Sequence, residues 1–111
     1  MLNLEKANGA IYAEYLYGDK VVGTASMEIY EDDDNDVRIE RFDIADAFQG
    51  QGHGTRFIHE LVSALREEGY DGNIFAAAEN EKSARFWSKV GSETTEDPYS
   101  YTDIGFGVYM V

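Results

Sequence analysis

The 111-residue chain contains no cysteine, a single proline, and only 9 lysine and arginine residues against 22 aspartate and glutamate residues. Without cysteine there is no disulfide, no thiolate nucleophile and no zinc–thiolate site. The net charge of −13 opposes a broad electrostatic footprint on nucleic acid or on an anionic membrane, so neither is expected as a partner. No run approaches the roughly 18–20 apolar residues that span a bilayer, and the first residues lack the basic-then-apolar order of a signal peptide. The expectation is a soluble, cytoplasmic protein.

What the chain does have is apolar surface: 43% hydrophobic and 14% aromatic residues are more than a disordered chain carries. At this length the apolar residues suffice for one core, so one domain over residues 1–111 is expected. The acidity must then lie on the surface of a folded body. It serves solubility or a high-salt medium, attracts a cationic amine, or engages a basic partner.

Ile11, Ala13, Tyr15 and Tyr17 alternate with Tyr12, Glu14 and Leu16, and Gly18-Asp19 supplies a turn before strand-like composition resumes over residues 21–30. Residues 31–36 form an acidic tip without the internal glycine and terminal glutamate of a calcium loop. A third strand starts at Val37. From Thr55 the period becomes helical, with Phe57, Ile58, Leu61, Val62 and Leu65 on one side and Gly69 as a stop. Residues 73–78 suit a buried strand, and Ala84, Phe86, Trp87 and Val90 a second helix closed by Gly91. Residues 92–100, with Pro98, read as a loop, and residues 101–111 as a last strand with a bulge or close approach at Gly105 and Gly107. The class is α/β in the α+β sense: a mixed, largely antiparallel sheet flanked by helices.

Between the third strand and the first helix stands Gln49-Gly50-Gln51-Gly52-His53-Gly54-Thr55. Glycines there let backbone amides approach an anion at a helix N-terminus, where the dipole adds partial positive charge. A tight turn alone also explains them. A P-loop needs Lys and then Ser or Thr after its last glycine, where this chain has Thr55-Arg56; a dinucleotide fingerprint needs a further glycine at 55 and more parallel units. His53 lies inside the turn and His59 on the wetter helix face, so no metal site is assigned.

Gln49, Gly52 and Gly54 match the signature of the GNAT family of N-acetyltransferases: Arg or Gln, two residues, Gly, one residue, Gly or Ala. Residues 39–44 resemble the family's fourth strand, whose end splays from its neighbour to admit the pantetheine arm. Asn80, Ser83, Phe86, Trp87, Lys89 and Gly91 resemble the pattern on the next helix. The resemblance implies the acyl-CoA N-acyltransferase fold and acetyl-CoA as cosubstrate, with no metal. It implies that backbone amides of Gln51, Gly52, His53, Gly54 and Thr55 hold the pyrophosphate and that Ile44 pairs with pantetheine. Asn80 would hydrogen-bond the pantetheine arm or order the loop, and Phe86 would pack beneath the cofactor. Gln49, Ser83 and Trp87 would complete the cofactor site, although core packing is the default for Trp87 because indole chiefly contributes buried area. Arg56 and Arg85 either add phosphate contacts or sit on solvated helix faces.

Family members usually begin with an extra strand and one or two helices that wall the acceptor site. The residues before Ile11 are too few for these, so the resemblance is expected to run over residues 11–111. Either the site is open to a large acceptor or a second copy completes it, as in a homodimer. Direct transfer to an amine needs a base and then an acid for the departing thiolate. Glu40 is the candidate base, expected on one sheet face with Phe42 and Ile44, although a carboxylate paired with Arg38 or Arg41 explains it nearly as well; Asp43 is expected on the other face. The position of the tyrosine acid in many relatives is Trp87, and indole is no proton source. Tyr99, Tyr101 or Tyr109 would replace it, with Tyr109 carried as the candidate, or water would. The reading is therefore an N-acetyltransferase acting on a small amine or a protein amino group; the alternatives are a CoA-binding regulatory module without turnover and an acidic interaction domain.

Overall fold

The computed structural model describes residues 1–30, 35–94 and 106–111. Among these, seven strands form one sheet in the order β1-β2-β3-β4-β5-β7-β6. The strands are β1 (Leu2–Ala7), β2 (Ala10–Tyr17), β3 (Lys20–Tyr30), β4 (Asp36–Ile44), β5 (Ile74–Ala77), β6 (Ser92–Thr94) and β7 (Val108–Met110). Helix α1 (His53–Glu67) follows β4 and α2 (Glu81–Val90) follows β5. All neighbours pair antiparallel except β4 and β5, which are parallel around the α1 crossover.

The chain pairs further toward its start than the sequence suggested. Residues 2–7 form β1, in register with β2 from Leu2↔Tyr15 to Ala7↔Ala10. The connection is Asn8-Gly9, both with positive φ (53° and 79°), the left-handed pair that a two-residue hairpin needs. This tight turn joins the strands directly, so no helix lies between β1 and β2. Two further corrections concern boundaries. α1 opens at His53 rather than Thr55, because Gly52 already takes the N-cap position. Residues 92–94, read as loop, pair with β7 through Glu93↔Tyr109. Residues 31–34 of the acidic tip, and the loop and strand residues at 95–105 with Pro98, Tyr99, Tyr101 and Gly105, lie outside the described residues.

The core lies on one face of the sheet. β2 and β3 present Ile11, Ala13, Tyr15, Ala25, Met27 and Ile29 to it, all buried. α1 presents Phe57, Ile58, Leu61 and Leu65, each fully buried, at the spacing that gathers side chains on one helix face. Burial of each such side chain stabilises the fold by about 1.5–3 kcal/mol. Phe42 of β4 joins the two helices, 4.7 Å from the Phe57 ring and 5.2 Å from that of Trp87. The opposite face of β1–β4 is polar, carrying Glu5, Tyr12, Glu14, Thr24 and Glu28 in the open.

α2 ends where β6 begins, and Gly91 sits there for contact rather than conformation: its φ is an ordinary −150°. A Cβ at 91 would stand 2.5 Å from the backbone oxygen of Met110. Gly91→Ala is therefore expected to destabilise the protein by about 3 kcal/mol through overpacking. The urea midpoint of unfolding measures it; an unchanged midpoint would mean that the β6–β7 edge gives way freely.

Candidate active site

β4 and β5 stay paired only through Val37↔Ile74, Arg38↔Phe75 and Ile39↔Ala76. β4 then runs on to Ile44 beside β3 alone, while the backbone amide of Ala78 turns to Gly107. The sheet is thus split between its two arms beyond Ile39. The split starts at a bulge: Met27 pairs with Ile39 and Ser26 with Arg41, which leaves Glu40 as the extra residue.

That bulge corrects the face assignment made from simple alternation. Phe42 and Ile39 oppose Ala25 and Met27 on the core face, whereas Arg41 and Asp43 oppose Ser26 and Thr24 on the polar face. Inserting one residue reverses the parity of a strand. Glu40 therefore lies on the polar face, 3.9 Å from Arg38, and not with Phe42 and Ile44. Asp43 shares its face.

The turn from β4 to α1 passes through a short 3₁₀ segment, Asp46–Phe48, and then Gly50 and Gly52 at φ 76° and 81°. Gly52 caps α1 without any side-chain hydrogen bond, and no acidic residue lies in the helix's first turn. The first helical bond runs from the Arg56 amide to the Gly52 carbonyl, so the amides of His53, Gly54 and Thr55 have no partner inside the helix. Gly54 lies tight against the neighbouring elements: a Cβ there would be 3.0 Å from Phe86 and 3.6 Å from Ile44. Uncapped amides, glycine at the points of closest approach and a sheet split beside them fit the pyrophosphate and pantetheine of a CoA cosubstrate. Among the described residues no cluster of three or more His, Cys, Asp and Glu side chains could hold a metal ion.

The side chains around this turn are committed in ways the sequence did not reveal. Gln49 Nε2 donates to the Ile44 carbonyl (2.9 Å) and to Asp46 Oδ1 (3.2 Å), and Gln49 Oε1 accepts from Lys82 Nζ of α2 (2.7 Å). His53 is buried, edge-on to Tyr17 and Phe48 at 5.0 and 5.8 Å, and its Nδ1 has no hydrogen-bond partner among the described residues. Only its backbone can serve the cradle. Asn80 caps α2 in a reciprocal box with Ser83: Asn80 Oδ1 accepts from the Ser83 amide (2.9 Å), and Ser83 Oγ accepts from the Asn80 amide (3.0 Å). Asn80→Ala is expected to cost about 1 kcal/mol by loss of this cap, seen as a lower thermal midpoint, whereas Asn80→Asp should preserve it.

Phe86 is half-buried and stacks on Phe42 at 5.4 Å; Trp87 is 4% exposed and belongs to the core. Tyr109 is also buried, on the core face opposite Ala76, its ring and hydroxyl folded against Gly107. The structure thus places Glu40 and Tyr109 on opposite faces of the sheet rather than side by side. The Glu40 carboxyl is raised above its usual carboxylate value, first by partial burial and then by a hydrogen bond with Glu28; Arg38 pulls it back down. A carboxylate so placed holds a proton more readily than a free one.

Comparison with known proteins bears on this geometry. The sequence model described as "Acetyltransferase (GNAT) family" matches residues 2–91. Among solved structures, a GNAT-family protein from Desulfovibrio desulfuricans superposes with a TM-score of 0.71 at 18% identity, over 93% of this chain and 68% of that one. The KacTA–DNA complex gives 0.71 at 18%, over 96% and 69%. An aminoglycoside acetyltransferase from an uncultured soil metagenomic sample, in complex with sisomicin, gives 0.68 at 19%, over 86% and 66%. At these identities the likeness is one of fold, and this chain spans about two thirds of the length of each. No curated protein matches the sequence.

Proposed function

Because the chain belongs to the GNAT acetyltransferase family, we propose that it transfers the acetyl group of acetyl-CoA to a primary amine by direct attack. The observation that carries this reading is the uncapped N-terminus of α1, framed by Gly50, Gly52 and Gly54, at the mouth of the β4–β5 split. The amides of His53, Gly54 and Thr55 hold the pyrophosphate. Ile44 pairs through its backbone with the pantetheine arm, and Phe86 packs beneath it. The bound cosubstrate supplies an acetyl group activated as a thioester.

The remaining chemistry is proton transfer. An amine attacks only when neutral, so Glu40 takes the proton from the ammonium, directly or through one water, from the polar side of the sheet. The new C–N bond forms as the C–S bond breaks, and the thiolate leaves with a proton from Tyr109 or from water. With no cysteine in the chain, no thiol-bound acyl-enzyme is involved. The polar sheet face that bears Glu28, Glu40 and Asp43 favours a cationic acceptor, and the net charge of −13 opposes DNA, the partner in one neighbouring structure.

A second reading, a CoA-binding module without turnover, is favoured by one observation: Trp87 brings no hydroxyl, and Tyr109 as a residue is only 5% exposed. Thiol release from acetyl-CoA against polyamines, lysine peptides and peptide N-termini separates the two. Amine-dependent release establishes the transferase and names its acceptor class; binding without release supports the module.

A further inference from the structure

The protein must bind a polyanion while carrying a net charge of −13, so local cations at the cradle count for more here than in a neutral relative. Several of the few cations are committed elsewhere: Arg38 to Glu40, Arg66 to the carbonyls of Tyr70 and Gly72, and Lys6 to the Tyr70 ring. Lys82 is different. Its side chain leaves the first turn of α2, crosses from the β5–α2 arm to the β4–α1 arm and ends 2.7 Å from Gln49 Oε1, at the start of the glycine turn. Among the described residues no carboxylate lies within ion-pair distance of it; its hydrogen-bond partner is a neutral amide. An exposed ammonium is thus held over the turn without a direct ion pair among the described residues, with Asp46 on the far end of the same amide. Arg56, whose guanidinium donates to the Gln51 carbonyl at 3.3 Å, flanks the same turn from α1.

Gln49 ties this cation to a second group. The amide that accepts from Lys82 donates through its other end to the Ile44 carbonyl at 2.9 Å, so one side chain spans from the lysine to the strand edge where pantetheine would pair.

Resting on the cofactor reading above, we infer that Lys82 is a phosphate-binding residue of the cofactor site and that Gln49 is the positioning residue that holds it over the turn. A phosphate oxygen is a better acceptor for an ammonium than a neutral amide is. Its arrival therefore draws Lys82 from Gln49 Oε1, and the loosened Gln49 side chain yields the Ile44 carbonyl to the pantetheine amide. Engagement of the phosphate end thereby favours docking of the arm.

The test is calorimetric binding of acetyl-CoA and of acetyl-pantetheine, which lacks the phosphates, to wild type, Lys82→Ala and Lys82→Arg. Lys82→Ala should weaken acetyl-CoA about tenfold, the worth of a partly exposed charge-assisted bond, and flatten the salt dependence of binding, while acetyl-pantetheine binds no more weakly, since loss of the lysine frees Gln49 as its departure to a phosphate does; Lys82→Arg should restore most of the affinity. Lys82 is exposed and outside the Asn80–Ser83 box, so the fold is expected to tolerate both variants. Wild-type binding with an unchanged Lys82→Ala overturns the inference alone. Equal loss of both ligands overturns it in favour of a structural role. No binding of acetyl-CoA by wild type overturns the cofactor reading, and the inference with it.

Discussion

Gly52→Asp is expected to lower the affinity for acetyl-CoA by at least about a hundredfold while leaving the thermal midpoint nearly unchanged. Gly52 stands at the N-cap of α1 with φ 81° and no side-chain cap. A left-handed residue other than glycine costs about 1–2 kcal/mol, and aspartate is among those that tolerate the region best. Its Cβ would stand 3.5 Å from the Arg56 guanidinium, so its carboxylate gains an exposed ion pair that offsets part of the strain. The same carboxylate fills the cradle and puts a negative charge where the pyrophosphate would lie. The two readouts then separate: equilibrium dialysis should show the loss of affinity, and a melting curve should show an intact fold. Undiminished affinity would show that the turn is structural and the phosphate site elsewhere.

Glu40→Gln should reduce turnover by about 10²–10⁴-fold, the usual worth of general base catalysis, with acetyl-CoA affinity unaltered. The pH profile carries more information than the rate. As the base, Glu40 would accept a proton only when ionised, so activity should fall as pH drops through its titration, which lies above the ordinary carboxylate value. Glu28 raises that titration and Arg38 lowers it. Glu28→Gln should therefore move the acidic limb to lower pH and Arg38→Met to higher pH, in opposite directions from neighbouring positions. If the limb stays put in all three variants, Glu40 is not the base.

The elements that announce themselves in this sequence are those with an unbroken local period. Phe57, Ile58, Leu61 and Leu65 repeat at helical spacing, and all four are fully buried; Gly18-Asp19 turns β2 into β3 as its composition implies. The misreadings arise where a single residue changes the geometry. Leu2 and Leu4 alternate only briefly before Glu5 and Lys6, so β1 is a weak strand by pattern; Asn8-Gly9 was its one strong signal. Val37 to Ile44 looks like continuous alternation, and nothing in the letters shows that Glu40 is looped out, because a bulge depends on the partner strand. Residues 92–94 owe their strand to pairing with β7, which no three-residue window contains.

The same division holds at the site. Gln49, Gly52 and Gly54 are close in sequence, and their turn sits at the N-terminus of α1 beside the split. The strap from Lys82 to Gln49 joins side chains 33 residues apart, and the burial of His53 against Tyr17 and Phe48 depends on the β2–β3 hairpin lying under α1. Asn80 was read as a pantetheine ligand or as a residue that orders the loop; in the structure it caps α2 with Ser83, a role that its spacing to Ser83 allowed and that leaves only its side-chain NH₂ to offer a ligand.

The most direct test of the account is a map of backbone amide chemical shifts as acetyl-CoA is added to the isotope-labelled protein. The account predicts saturable shifts concentrated at Ile44, at Gln51 to Thr55 and at the start of α2 from Asn80 to Phe86, with the edge strand β1 little changed. Shifts that are absent at saturating acetyl-CoA, or that gather elsewhere and spare Gly52 to Thr55, would contradict it.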